Sequence, residues 1–321
     1  MELAGFSAVL AFMTSALLCH NPQAGNEAND RDSIEAALKL AGYDVDYADV
    51  KGEGFTDALQ KAVDLVVVAG GDGTVARVLT QLRERSVPIA ILPLGTANNF
   101  ARSLGIAGTP QELVETWDTD HTSPVSIANA TGHWGTSLFV EAYGIGVFPQ
   151  FLLDGKKMGK KGKKPEGAKS LQQGRKLLRK ALKRADPIEI VLTMGKQSKE
   201  LCVLGIEVCN IAFTGPGLPI ATAADVTDKK LDVVIIDSDS REAVMDWLES
   251  PMDGTPPFLT RKSAQVELTF HNAPTRLDDE AFTASAGKFS VDLACEETSV
   301  RIVVPVKHPS QKALEKKAGA A

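Results

Sequence analysis

One design, used twice in succession, limits the fold more than any other feature of this chain. "DLVVVAGGDGTVARVL" (Asp64 to Leu79) and "IAILPLGTANNFARSLG" (Ile89 to Gly105) each run an apolar strand into a glycine turn and on into a helical pattern. "SALLCH", Ser15 to His20, reads as a further strand, and "NPQAG" puts Asn21, Pro22 and Gly25 directly after it. Strands alternating with helices favour a parallel sheet covered by helices, so the first part is expected to be an α/β, Rossmann-like domain whose loops face one cleft. Two further helices fit between and after them. "DRDSIEAALKLAG" places Ile34, Ala37, Leu38 and Ala41 on one face with Gly42 to end it, and "TPQELVETW" opens with a Thr109 cap and Pro110 at the first helical position.

The glycine loops say something about chemistry. A strand ending in GGDG brings backbone N–H groups and the positive end of a helix dipole to the sheet edge, where anions and phosphates are favoured. Neither GxxxxGK[ST] nor GxGxxG occurs here, so this is neither a P-loop nor a standard dinucleotide fingerprint. A carboxylate in such a cradle repels bare phosphate. Asp72 is therefore explained either by a divalent cation or hydroxyl beside it, which points to phosphoryl transfer, or as the capping residue of a tight turn.

From about Ser123 the pattern changes to β-rich runs: "SPVSIANA", "TSLFVEAYGIGV", "PIEIVLTM", "ELCVLGIEVCNIAF", "KLDVVIID", "AQVELTFH", "KFSVDLAC" and "SVRIVVP". These predict a second domain built as an antiparallel sandwich. With 321 residues there is sequence for two cores. The expected division is 13–122 for the α/β domain and 123–305 for the β-rich domain, with 1–12 and 306–321 as terminal extensions. The apolar start lacks the basic residues and cleavage site of a signal peptide, and no apolar run is long enough to span a membrane.

Other chemistries lose support. Cys19, Cys202, Cys209 and Cys295 form no CxxC pair and lie in apolar, strand-like runs, which suits reduced, core-packed thiols in the cytosol. The five histidines show no HExxH spacing, and no GxSxG presents a serine nucleophile.

NPxAG, then GGDGT, then PLGTANN, in that order, resembles the diacylglycerol kinase catalytic-domain family, which includes bacterial lipid kinases and sphingosine and ceramide kinases, with NAD kinases as distant relatives. The likeness is close from Ser15 to Leu104 and looser beyond. It implies an ATP- and Mg²⁺-dependent lipid kinase that moves the γ-phosphate to a hydroxyl of diacylglycerol or a similar lipid, with the C-terminal strand "SVRIVVP" returning to the first domain. It implies that Asn21, Gly70, Gly71, Asp72, Gly73 and Thr74 hold the nucleotide, with Gly95, Thr96 and Asn98 on its other side. Many relatives carry an acid where this chain has Asn99. The family's "DG.LD" and "DGE" stretches correspond to "TDKKLDVV" and "RLDDEAF", where Lys229 and Asp279 replace the glycines. By that likeness Asp278 is the expected general base, supported by Glu280, and Asp228 and Asp232 are metal-site candidates. Glu141, a carboxylate in an apolar strand, either joins the metal site or pairs with a core arginine. The rival readings are an NAD kinase and a non-catalytic relative that binds nucleotide or lipid.

The chain carries a net charge of −6, yet Gly155 to Arg184 holds thirteen Lys or Arg against the single acid Glu166. In a kinase whose substrate stays in the bilayer, this segment is expected to dock on anionic lipid, partly through an apolar stripe of Leu171, Leu177, Leu178, Ala181 and Leu182. The expected location is then cytoplasmic, on the inner face of the membrane. No aromatic residue is interleaved with these cations, which argues against nucleic acid as the partner.

Overall fold

The computed structural model describes residues 13–25, 29–159 and 167–305. In the first region β1 (Thr14–His20), β2 (Tyr43–Asp49), β3 (Leu65–Gly70) and β4 (Pro88–Pro93) form a parallel sheet in the order β4-β3-β1-β2. The strand β2 was not evident in the sequence. It lies at the sheet's edge, and its acids alternate with half-buried Val45 and Tyr47, a pattern that protects an edge from further pairing. The helix α1 (Arg31–Leu40) buries Ile34 and Leu38, while Ala41 and Gly42 lie outside it, Gly42 at φ +90°. Short α2 (Phe55–Ala58) follows β2, and α3 (Asp72–Leu82) and α4 (Asn99–Ser103) leave the two glycine loops. The helix α5 (Pro110–Glu115) has the expected Thr109 cap, completed by Glu112 as a capping box.

The second region is antiparallel and β-rich. Its elements are β5 (Thr122–Gly132), β6 (Gly135–Phe139), β7 (Ala142–Gly146), α6 (Val147–Gly159), α7 (Gly167–Arg184), β8 (Ile188–Met194) and β9 (Gln197–Cys209). They continue with β10 (Leu231–Asp237), α8 (Arg241–Trp247), β11 (Leu259–Ser263), β12 (Gln265–His271), β13 (Thr275–Leu277), β14 (Glu280–Phe282) and β15 (Lys288–Val303). "KFSVDLAC" and "SVRIVVP" are one strand, β15, with a register shift between Cys295 and Ser299. Its end does return to the first region, with Arg301 and Ile302 parallel to Pro88 and Ile89 of β4.

The strand β5 ties the two regions together as well. Val125 and Ile127 pack into the core of the first, whereas Ala128 and Ala130 belong to that of the second. The run "TSLFVEAYGIGV" divides into β6 and β7 because the chain breaks at Val140 and Glu141, a break that matters for the site. Among the cysteines Cys19 and Cys209 are buried as expected; Cys202 is exposed on β9, and none of the four is paired.

Candidate active site

Two glycine loops come together because neither has a side chain at the crossing. A Cβ on Gly95 would lie 2.5 Å from the Gly71 Cα, so the backbones after β3 and β4 approach to a distance only glycine permits. Beside them opens a cleft lined in part by Asn21, Gly71, Asp72, Gly73, Thr74, Gly95 and Thr96, with Lys51 and Arg77 as its cations. Asn99, at the start of α4, lines it as well, and Gly215 and Asp279 contribute from the second region. The first N–H groups of α3, at Asp72 and Gly73, have no acceptor within the helix and are placed for an anion.

The remaining loop residues support this cradle from behind. Gly70 ends β3 under Thr74, where a Cβ would lie 2.6 Å from the threonine side chain. Asn98, in the left-handed region at φ +48°, spends its amide on its own loop: Oδ1 accepts from the Gly95 N–H at 2.8 Å, and Nδ2 donates to the carbonyls of Pro93 and Gly95. It shapes the loop and does not line the cleft. Asn21 donates to Thr74 Oγ1 at 3.4 Å, joining the first loop to α3.

Asp72 is a capping residue, though of a different helix from its own. Its Oδ1 accepts the Phe100 N–H at 3.0 Å, at the start of α4, so one carboxylate links the two loops. Desolvation and the negative charges of Glu141 and Asp279 push its pKa well above the usual carboxylate range. Asp279, on the β13–β14 hairpin, is likewise pushed up: the residue reaches the surface, but protein crowds its carboxyl in the cleft and desolvates it, and Glu141 adds a like charge.

The acidic stretch "DDE" divides its tasks differently from the expectation. Asp278, at φ +49°, turns its carboxylate onto the β6–β7 break, where Oδ1 accepts from the backbone N–H groups of Val140, Glu141 and Ala142 at 3.2, 2.7 and 3.2 Å. Burial and Glu141 raise its pKa to about 7 against the pull of these amides. A carboxylate so occupied is a structural clamp, and the cleft receives Asp279 instead. Glu280 opens β14 on the surface and is not among the residues that line the cleft.

Glu141 pairs with a core arginine, the second of its two readings. Its Oε1 accepts from Arg276 Nη1 at 3.1 Å, from the Gly215 N–H at 3.1 Å and from the Thr214 hydroxyl, while Oε2 accepts from Asn99 Nδ2 at 2.8 Å. Arg276 is only 1% exposed and also binds Glu207, with Nη2 2.6 Å from Oε2, and the Asp278 carbonyl at 2.7 Å. Arg276, Glu207 and Thr214 stand singly in the sequence, in no motif that would have drawn attention to them.

The expected metal pair is occupied by an ammonium group. Lys262 Nζ lies 2.8 Å from Asp228 Oδ2 and 3.4 Å from Asp232 Oδ2, and donates to the Ala223 carbonyl at 2.9 Å. Neither aspartate lines the cleft, so neither serves there as a metal ligand. Lys229 sits at φ +53°, in the left-handed region that glycine adopts most readily.

Residues 15–130 match the diacylglycerol kinase catalytic domain, and residues 168–288 match the YegS C-terminal NAD kinase beta sandwich-like domain. The first region is thus similar to the diacylglycerol kinase catalytic domain, and each of the two matches covers less than half of the chain. A Klebsiella pneumoniae protein named "Probable lipid kinase YegS-like" is 35% identical over 147 residues, 40% of this chain and 48% of that one. The match thus spans about half the length of that relative. A Mycobacterium tuberculosis diacylglycerol kinase is 24% identical over 298 residues, 90% of this chain and 93% of its own length. Among solved structures, a diacylglycerol kinase from Bacillus anthracis superposes with a TM-score of 0.66 at 21% identity, covering 92% of this chain and 98% of that one. An Archaeoglobus fulgidus NAD kinase in complex with ATP gives 0.50 at 14%, covering 96% and 99%. These likenesses agree with the observed fold, a parallel α/β region joined to a β-rich one.

Proposed function

We propose that this chain is an ATP- and Mg²⁺-dependent lipid kinase that transfers the γ-phosphate to a hydroxyl of diacylglycerol or a similar lipid. The observation that carries the reading is the placement of the β13–β14 hairpin between two different cavities. On one side Asp279 lines the loop cleft. On the other, Leu277 and Phe282 line an apolar cavity of about 610 Å³ with Tyr143, Phe270 and Phe289. A polar cradle next to an aromatic-lined cavity suits one anionic and one greasy substrate. It does not suit NAD as the acceptor.

The residues fit magnesium. Asp72 and Asp279 both line the cleft with values raised by desolvation and then by the charge of Glu141, and the buried Asn99 Oδ1 has no partner among the described residues. Among the described residues no three His, Cys, Asp or Glu side chains form a cage, which agrees with an ion held by one or two carboxylates and by phosphate oxygens. When bound, it would neutralise charge on the transferring phosphate. The protein's own work is positioning. The α3 N-terminus orients the phosphates, Lys51 and Arg77 add positive charge, and Asp279 accepts the proton of the lipid hydroxyl.

Access to a bilayer substrate is assigned to the basic helices, though in an altered form. Leu178, Ala181 and Leu182 of α7 are buried within the protein, so that stripe is not free to enter a bilayer. Lys169, Lys176, Lys180 and Lys183 remain exposed along one helical face, and residues 160–166 lie outside the described residues. Docking is then electrostatic. No helix among the described residues is long and apolar enough to cross a membrane.

The test is labelled ATP with diacylglycerol, sphingosine, ceramide and NAD as acceptors. Label on a lipid supports the reading; label on NAD alone, or none, overturns it. Sedimentation with anionic vesicles should fall when the four exposed lysines of α7 become glutamine, and unchanged sedimentation would remove the docking assignment.

A further inference from the structure

Asn99 is the side chain through which the nucleotide loops enter the ion network of the second region. Its backbone stands at the start of α4, beside the Phe100 N–H that Asp72 accepts. Its Nδ2 donates to Glu141 Oε2 at 2.8 Å, a buried contact, and to the Gly215 carbonyl at 3.0 Å. From Glu141 the contacts continue to Arg276, and Arg276 Nη1 donates to the Asp278 carbonyl. The Asp278 carboxylate closes the circuit on the Glu141 N–H at 2.7 Å. Every member is a hydrogen-bonded group with a fixed polarity, and the hairpin carrying Asp279 hangs from the last of them.

We propose that Asn99 and Glu141 form a polar latch that positions the Asp279 hairpin against the nucleotide loops. The inference rests, for its catalytic half, on the reading of the cleft as a phosphotransfer site. Its structural half stands without that reading. Among the described residues Asn99 is the one donor to Glu141 Oε2, and a carboxylate there would face another carboxylate at hydrogen-bonding distance. The latch needs no cation, because the amide supplies the proton. Asn99 is a positioning residue, acting through Glu141 and Arg276.

The geometry allows an atomic swap. The three remaining partners of Glu141 all bond Oε1, so a glutamine at 141 can keep them and turn its amide toward position 99. Asn99→Asp sets two carboxylates against each other, and Glu141→Gln either sets two amide donors against each other or makes Asn99 turn its unpartnered Oδ1 inward at the expense of the Gly215 contact. The double variant restores a donor–acceptor pair with reversed polarity. Only the Gly215 carbonyl loses its donor.

The experiment compares the wild type, N99D, E141Q and N99D/E141Q. It uses thermal melting of the nucleotide-free chain, calorimetric ATP binding, and turnover with ATP and diacylglycerol-containing vesicles well below the lowest melting point. Each single variant should melt at least about 2 °C lower, and the double variant should recover at least about half of the N99D loss. Turnover of each single variant should fall about tenfold or more while the ATP dissociation constant stays within about twofold, with partial recovery in the double variant. A double variant no better than N99D in melting and turnover overturns the latch. Folded single variants with full turnover would leave the contact without a positioning role and overturn the proposal equally. If the wild type labels no lipid, the proposed function fails, and the melting cycle alone decides whether the latch exists.

Discussion

The two walls of the cleft are made of different materials. The wall from β3, β4 and their loops works mainly with backbone: N–H groups at the start of α3, two glycines in contact, and side chains such as Asn98 spent on holding the turn. The opposite wall works with buried charge, since Arg276, Glu141 and Glu207 lie in the interior and hold the hairpin from behind. Backbone at a glycine turn tolerates little change in shape but carries no net charge. A buried ion cluster has rigid hydrogen-bond polarity and a high cost for any member left alone. The first wall should therefore fail through steric insertion and the second through charge.

Two neighbouring aspartates test the second wall most strongly. Asp279→Asn should lower turnover by about 10²–10⁴-fold, the usual worth of a positioned general base, with melting temperature unchanged or raised because a repelling charge is gone. Asp278→Asn should do the reverse in stability, costing about 1–3 kcal/mol, because an amide N–H would replace one acceptor among three backbone donors. Melting curves and single-turnover rates on both variants separate the roles. Full activity in D279N would return the base assignment to another group. Removing Arg276 should be more severe for folding. Arg276→Met leaves Glu141 and Glu207 buried without their cation, at a cost of about 3–5 kcal/mol, measured by chemical denaturation.

This difference in material also decides what could be read from the chain. NPxAG, GGDGT and PLGTANN are contiguous because a backbone cradle is made where the chain turns, and glycines beside strands mark it in the sequence. Glu141, Glu207, Thr214 and Arg276 meet only after β7, β9 and β13 pair, and a lone arginine in "TRLDD" looks like a surface residue. The placement of Asp279 at the cleft in place of Asp278 has a similar origin. One left-handed residue in a tight hairpin determines which of two adjacent carboxylates faces the cleft, and a turn's conformation is not written in its composition. Lys262 took the place expected for a metal because nothing local to "TDKKLD" announces a lysine from β11.

Acidity offers a milder test of the charged wall. The carboxyls of Asp72, Asp278 and Asp279 all have raised values in the folded state, so the unfolded chain ionises first as pH rises. The folded state then binds more protons than the unfolded one, and stability must fall with increasing pH from the ordinary carboxyl range near 4 toward about 7, the value for Asp278. Melting of the nucleotide-free protein across that window should show the decline. D279N should flatten it, because Asp72 loses one of the charges that oppose its ionisation. A profile that rises through the same window would show that these groups are paired with cations in solution.

The smallest effect belongs to the rim of the first wall. Lys51 and Arg77 line the cleft but are exposed, Lys51 bonding Gln23 and Arg77 lying over the Phe55 ring at 5.3 Å. Charges in that position attract a polyanion through water and do not build the cradle, so their contribution is modest and screened by salt. K51Q/R77Q should weaken ATP binding by about three- to tenfold at low ionic strength and by less as salt approaches 0.5 M, a concentration at which the Debye length is well below about 10 Å. Adenosine, which lacks the phosphates, should bind equally to both proteins, and turnover at saturating ATP should be preserved. If adenosine binding fell in parallel with ATP, the two residues would be shaping the base or ribose site directly, and the first wall would depend on side chains as much as the second does.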